Sequence, residues 1–520
     1  MKKLIPFLMI IFMLTACSNP PAEENMTPGD SDAAAGTLTL YTAAQDYQHP
    51  LYTKISSNQK IYDLMYDSLI NITSDMSVVP RLAEKSVISK DFTKIRFTLK
   101  PGILWHDGKA LTSADVVYTI NLILDTENPT NCTSQLSQYI SRVQAEDNLN
   151  FSVYLKKPYA RVLYLMDFPI VPQNSALTSL PSGTGKYKLE SISCDKQIIL
   201  TKNNLWNLDA IPIEDKLTIQ IVSSDANALS MLKTGELSAY DADVEEIAEF
   251  GYDNKIEALG YPSLSYEFLG FNSSNAVFAD SAVRRAFSYL IDRDKIASEI
   301  YFGYAHAANS PVPPTAFFYN KEADKCAFSA DSAAKILEGG GWSRSLNGIY
   351  SKDINGELYS LNASLIVNDD NKMRIASANI IASTLNSVGM NIKVEPLPFD
   401  AYVDRLQSGQ YAVFIGGTEL SANLDYDFLL SSQGYLNFMR YSSAEMDAAI
   451  GSTHTAVSTD SIKKAYLEFQ YVFTNDCPVT GVVFTQNILL YKNTIKGIAK
   501  PFCSHPYSGI NKWHFDEKRK

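Results

Sequence analysis

The chain is 520 residues long, with 46% hydrophobic and 11% aromatic content and a formal charge of −12. The apolar share suffices for two or three globular lobes and excludes a largely disordered protein, while the acidic balance argues against a polyanionic partner such as nucleic acid. Thirty tyrosines supply rings with apolar faces and hydroxyl tips, suited to lining a solute cleft as well as to packing.

Lys2 and Lys3 precede an apolar run, Leu4 to Leu14, that is too short to span a bilayer and reads as an export signal. Leu14-Thr15-Ala16-Cys17 resembles the bacterial lipobox, which predicts a signal peptide at 1–16 and lipidation of Cys17. Acyl chains favour membrane attachment by about 0.8 kcal/mol per buried CH2. The protein is therefore expected to be exported and anchored to the outer face of the cell membrane, on the periplasmic side where an outer membrane exists. Residues 17–36 hold almost nothing large and apolar and read as a flexible tether. With Cys17 acylated, Cys132, Cys194, Cys326, Cys477 and Cys503 form an odd set, so at least one thiol stays free. None of them has the CxxC spacing of a zinc knuckle or a redox dithiol.

Ile95, Phe97 and Leu99 alternate in strand period before Pro101-Gly102, and His106-Asp107-Gly108 marks a turn. Thr112 and Asp115 predict a capping box for a helix with Val116, Ile120 and Leu124 on one face. Further strands are expected at 151–155, 198–200 and 217–221. Asp280 caps a helix carrying Val283, Ala286, Phe287, Leu290 and Ile291, beside which Arg284, Arg285, Asp292 and Arg293 read as helix-end ion pairs. A helix from about Lys372 stops at Gly389, and Ile392 and Val394 lie on a strand. Asp400 caps a short helix ending near Gly409, and 411–415 reads as a buried strand. Strands and helices thus interleave as in α/β proteins, and the loop after 415 lies where open α/β sheets place their ligands.

Several chemistries find no support. Gly183-Thr184-Gly185-Lys186 lacks the spacing of a phosphate loop, and no GxSxG or HExxH occurs. No catalytic residue is assigned and no cofactor is expected. His49, His106, His306, His454, His505 and His514 form no close helical pairs, so no metal site is expected either.

Four blocks remain. The first joins Leu82-Ala83-Glu84 and Phe97-Thr98-Leu99-Lys100-Pro101-Gly102 to His106-Asp107-Gly108 and Leu111-Thr112-Ser113-Ala114-Asp115-Val116-Val117; the second is Gly183-Thr184-Gly185-Lys186-Tyr187-Lys188-Leu189. The third runs from Phe271-Asn272 through Val283-Arg284-Arg285-Ala286 and Ile291-Asp292-Arg293 to Gly303, and the fourth is the helix to Gly389 followed by Tyr411 to Gly417. In this order they resemble the peptide and nickel family of extracellular solute-binding proteins, family 5, which includes oligopeptide- and dipeptide-binding proteins. The resemblance implies an α/β fold of the type II periplasmic-binding-protein kind, a two-lobe clamp with an extra lobe. Lobe I would combine 37–60, 181–264 and 483–520, the extra lobe II would be 61–180, and lobe III would be 265–482. The implied function is capture of a small solute, a short peptide, by hinged closure of a monomer, and its delivery to the permease and ATPase subunits of an ABC importer. The alternatives are a metal chelate, heme or sugar as solute, or a secreted chaperone or receptor reusing the clamp.

In peptide-binding members of that family a Gly-Trp pair follows the cleft strand, and then an aspartate that receives the peptide ammonium. Here the stretch reads Gly416-Gly417-Thr418-Glu419-Leu420-Ser421-Ala422-Asn423-Leu424-Asp425, with Thr418 for the Trp and Ser421 near the aspartate position. A buried ammonium needs a carboxylate, so a substitute is expected among Glu419, Asp425 and Asp46. The candidate ligand-binding residues are Tyr41, Gln45, Asp46 and Asn58 on one side of the cleft and Gly417, Thr418, Glu419, Ser421, Asn423 and Asp425 on the other.

Overall fold

The computed structural model describes residues 37–43, 49–177, 179–193, 196–251, 253–323, 327–503 and 505–516. The expected signal peptide and tether with Cys17, and also Gln45, Asp46, Cys194 and Cys326, lie outside the described residues. Cys132, Cys477 and Cys503 are free thiols. Among the described residues, no helix is long and apolar enough to cross a membrane.

A four-stranded sheet opens the described chain. Leu38–Ala43 pairs in parallel with Lys216–Val222, which continues antiparallel to Gln197–Lys202 and Tyr187–Ser193. Leu38, Leu40, Leu217 and Ile219 are fully buried, because period-two alternation turns these side chains to the covered face. A second four-stranded sheet, Ala83–Ile88, Lys94–Leu99, Asn150–Leu155 and Ile140–Ala145, is antiparallel throughout. Its cross-strand pair Phe97 and Phe151 stacks at 5.0 Å, a contact of the kind that stabilises paired strands by about 0.2 to 1 kcal/mol. The helix Ser113–Leu124 packs on this sheet and carries the expected capping box, with Asp115 accepting from the Thr112 backbone N–H at 2.8 Å.

A seven-stranded mixed sheet organises the rest. Its order runs Ala239–Ala242, Val479–Lys492, Ile256–Phe271, Val413–Glu419, Asn362–Asn368 and Asn391–Leu397, with Ala305–Ala307 also on Val479–Lys492. Two of these strands are long, 16 and 14 residues, and pair antiparallel with register shifts between Pro262 and Tyr266 and between Glu267 and Phe268. The expected boundaries at 264/265 and 482/483 fall inside these two strands, beside the irregular register.

Several local expectations change. The strand expected at 411–415 is Val413–Glu419, so Gly416, Gly417, Thr418 and Glu419 belong to the sheet and not to a loop after it. The ladder to Ser265–Phe271 explains this, since it runs the full length to Glu419 and outweighs the poor strand preference of two glycines, while the other edge is paired at Val413 and Phe414. A Cβ at 417 would fall 2.1 Å from Glu267 Oε1 and 2.5 Å from an Arg374 nitrogen, so any larger residue there must displace these side-chain ends. Asp400 lies in the first turn of the helix Phe399–Ser408, whose N-cap, Pro398, stands two residues before the expected cap and which stops at Gly409 with φ +74°. The expected helix-end ion pairs are replaced by backbone contacts. Arg284 donates to the carbonyls of Phe278, Ala279, Asp476 and Cys477, Arg293 donates to those of Ser288 and Gly481, and Asp292 caps the helix Arg293–Glu299. The carbonyls at these chain reversals lack helical partners, and a guanidinium fork satisfies several of them together.

Candidate solute-binding cleft

Three adjoining cavities of about 420, 360 and 330 Å³ share Asp167 and His505 in their walls. The walls come from segments far apart in the sequence: the helix Ser56–Tyr62 with its C-cap Asp63, residues 131–135, 164–169, 419–422 and 500–508. Concave space ringed by separate segments, with a few polar groups converging on it, is the usual form of a small-molecule site.

His505 stands at the centre of this ring. Its Nδ1 is 2.6 Å from Asp63 Oδ2 and its Nε2 is 3.3 Å from Asp167 Oδ2. Burial opposes the charged ring, but the two carboxylates outweigh it and raise the imidazole pKa well above the ordinary histidine value. His505 is therefore a cation that bridges both aspartates, and neither ring nitrogen is left to coordinate a metal. Cys132 and Cys503 line the largest cavity as thiols. Burial, followed by Asp167, pushes Cys132 up to about 11, and burial, followed by Glu419 and Asp167, raises Cys503 well above the usual thiol value. Neither is the thiolate that nucleophilic chemistry needs.

Glu419 ends the strand Val413–Glu419 opposite Ser265, exposed at the largest cavity, and its carboxylate has no hydrogen bond or ion pair among the described residues. Ser421 lies beside it and accepts a 3.3 Å hydrogen bond from Gln135 Nε2. Thr418 is half-buried and paired with Tyr266. Gly417 lies against the Glu267–Arg374 ion pair, whose atoms approach to 2.8 Å.

The remaining candidates face elsewhere. Asn423 is buried, donates to the Tyr159 hydroxyl at 2.8 Å, and accepts from Arg161 Nε at 3.0 Å through its carbonyl. Asp425 accepts from the Tyr139 and Tyr159 hydroxyls at 2.5 and 3.1 Å and from the Asp427 backbone N–H at 3.0 Å. Burial alone would raise its pKa, but His454 and these donors hold it below the usual carboxylate range. Neither residue lines any of the three cavities. Tyr41 is buried and stacked on Tyr240 at 5.0 Å, and Asn58 is buried and accepts from the Thr42 hydroxyl. Asn58's neighbours Gln59 and Lys60 reach the cleft instead. Asp63, Gln135, Asp167 and His505 were not singled out from the sequence, because no local motif links positions that only the fold brings together.

The family model described as bacterial extracellular solute-binding proteins, family 5 Middle, matches residues 77–437. The chain belongs to this family. A relative, the oligopeptide-binding protein AppA of Bacillus subtilis, is 23% identical over 97% of this chain and 97% of its own length. Among solved structures, NikZ from Campylobacter jejuni in complex with Ni(L-His) is 22% identical, with a TM-score of 0.66 over 92% of this chain and 99% of that one. HbpA2 from Haemophilus parasuis is 19% identical, with a TM-score of 0.77 over 92% and 100%. The fold is thus the α/β two-lobe clamp of the family 5 extracellular solute-binding proteins.

Proposed function

We propose that this family 5 protein captures a short peptide in the cleft around His505 and passes it to the permease of an ABC importer, working as a monomer held to the membrane by lipid on Cys17. The observation that carries the peptide reading is the Glu419 carboxylate, exposed at a cavity of about 420 Å³ with no hydrogen bond or ion pair among the described residues. Asp63 and Asp167 are instead held by His505, and Asp67 by Arg81. A peptide ammonium would supply Glu419 with the cation it lacks. AppA, named for oligopeptide binding, supports the same reading across nearly the whole chain. The Ni(L-His) bound by NikZ is the reason to keep a metal chelate as the second reading.

Native mass spectrometry of protein purified without denaturation is the test, since a closed clamp retains its cellular solute. A peptide mass series is expected, and a chelate, heme or sugar mass overturns the peptide reading. With the recovered peptide, calorimetry is expected to give at least tenfold weaker binding for Glu419→Gln, because removing one partner of a desolvated charged hydrogen bond costs about 2 to 5 kcal/mol. Asp425→Asn, which lies off the cavities, is expected to leave affinity within a few-fold. The anchor is checked separately, by release of Cys17→Ser from the membrane fraction in detergent partition.

A further inference from the structure

Outside the cleft, on the other side of the segment 420–427, two carboxylates and an imidazole meet. Asp425 and Asp427 flank the start of the helix Asp427–Leu430, and His454 is the last residue of the helix Ala444–His454. One ligand-capable atom from each of the three lies within 4.8 Å of the others. We infer that Asp425 Oδ1, Asp427 Oδ2 and His454 Nε2 form a binding site for a divalent transition-metal ion of the zinc class.

Distances support coordination over hydrogen bonding. His454 Nε2 is 3.5 Å from Asp425 Oδ1 and 3.9 Å from Asp427 Oδ2, both beyond a good N–H···O bond. Two ligands held tetrahedrally at about 2.0 to 2.1 Å from zinc stand about 3.4 Å apart. The Asp425 to His454 spacing matches that separation, and a small rotation of Asp427, the most exposed of the three at 42 %, closes the other. His454 Nε2 is buried and has no hydrogen-bond partner among the described residues. A buried polar atom left in this state is destabilising, and an ion between the three groups removes that penalty.

The surroundings hold the ligands in place. Tyr139 and Tyr159 both donate to Asp425 Oδ2, which leaves Oδ1 toward His454, and the His454 ring lies 5.0 Å from the Tyr159 ring. Hydrogen bonds that fix a carboxylate and packing that fixes an imidazole are what metal sites place behind their ligands. Three protein ligands leave one position for water, reached from the exposed side of Asp427. Occupancy would tie Asp425 and Asp427 to the end of the helix Ala444–His454 and so stiffen the segment that continues from the cleft wall formed by Glu419, Ser421 and Ala422. The absence of close histidine pairs in the sequence is no obstacle, because the fold supplies the carboxylates.

The inference does not depend on the identity of the transported solute. It is tested on the untagged, full-length mature protein after EDTA treatment, by calorimetric titration with zinc chloride and elemental analysis after dialysis. One zinc per chain is expected at pH 7.5, with a rise in Tm. His454→Ala is expected to weaken binding at least a hundredfold, and Asp427→Asn at least tenfold. Cobalt should give intense visible bands of a tetrahedral site in the wild type and not in Asp427→Asn. Circular dichroism checks folding, and the exposed Asp427 variant decides the matter if His454→Ala does not fold. Failure of the wild type to retain zinc overturns the site, as does zinc binding that either folded variant leaves unchanged.

Discussion

His505 lies between Asp63 and Asp167 at 2.6 and 3.3 Å, whereas His49 is fully buried beside Tyr52 with no carboxylate against it among the described residues. The two surroundings shift the pKa in opposite directions, upward for His505 and down to about 4 for His49 by burial. An unfolded histidine titrates near 6.5. Folding therefore holds the His505 proton longer than the unfolded chain does, and the resulting stability is complete below about pH 6.5 and is lost as the pH rises through the raised folded value. For His49 the unfolded chain binds the extra proton, so stability falls as the pH drops from about 6.5 toward 4. Thermal unfolding is expected to give a Tm deficit for His505→Gln that is largest near pH 6 and narrows toward alkaline pH. His49→Gln is expected to flatten the acid-side fall of the wild type. A His505→Gln deficit that grows with pH would contradict the ion-pair assignment.

At the scale of elements, the block Gly183-Thr184-Gly185 is read by close packing. A Cβ at Gly183 would lie 1.8 Å from the Met65 carbonyl oxygen, and one at Gly185 would lie 2.4 Å from the Met65 carbonyl carbon. The Gly185 N–H donates to that same Met65 carbonyl at 2.8 Å, and the Thr184 hydroxyl reaches Asp67 at 3.1 Å. Gly108 is glycine for another reason: its φ is +85°, with open space where a side chain would go. Gly183→Ala must displace backbone, whereas Gly108→Ala meets only the left-handed conformation, worth about 1 to 2 kcal/mol. Urea unfolding is expected to show Gly183→Ala losing more than Gly108→Ala, by at least the 1 to 3 kcal/mol typical of overpacking. Equal losses would refute the packing account. Elements governed by their own residues matched expectation, including the capping box at Thr112 and Asp115 and the helix Lys372–Ser387 before Gly389. The strand Val413–Glu419 did not end where expected, since its length is dictated by the partner Ser265–Phe271.

For the whole molecule, the proposed capture mechanism requires closure, and the two long strands Ile256–Phe271 and Val479–Lys492 offer its route. Their register breaks between Pro262 and Tyr266, where a ladder with fewer regular bonds bends at lower cost. A solute that touches both sides of the cleft shifts the population toward the closed form. Small-angle scattering is expected to give a smaller radius of gyration with solute than without. The accompanying stabilisation should follow RT ln(1 + [L]/Kd), about 2.7 kcal/mol at a hundredfold excess over Kd. Solute that stabilises without compaction would argue for a rigid cleft.

The sequence by itself determined what depends on neighbours along the chain: alternation in Lys94–Leu99, helix caps at Thr112 and Asp280, and the ordered blocks that place the chain in family 5. It also singled out Glu419 by its place after a cleft strand, although not the sheet pairing that presents it. Only the tertiary structure decided which charges meet. His505 and Asp63 stand 442 positions apart yet share a hydrogen bond, and Asp425, a candidate anchor in the sequence, is turned by Tyr139 and Tyr159 toward His454. Periodicity and capping are fixed within one or two turns of backbone, whereas the charge of a cleft is a sum over segments whose approach no local pattern encodes.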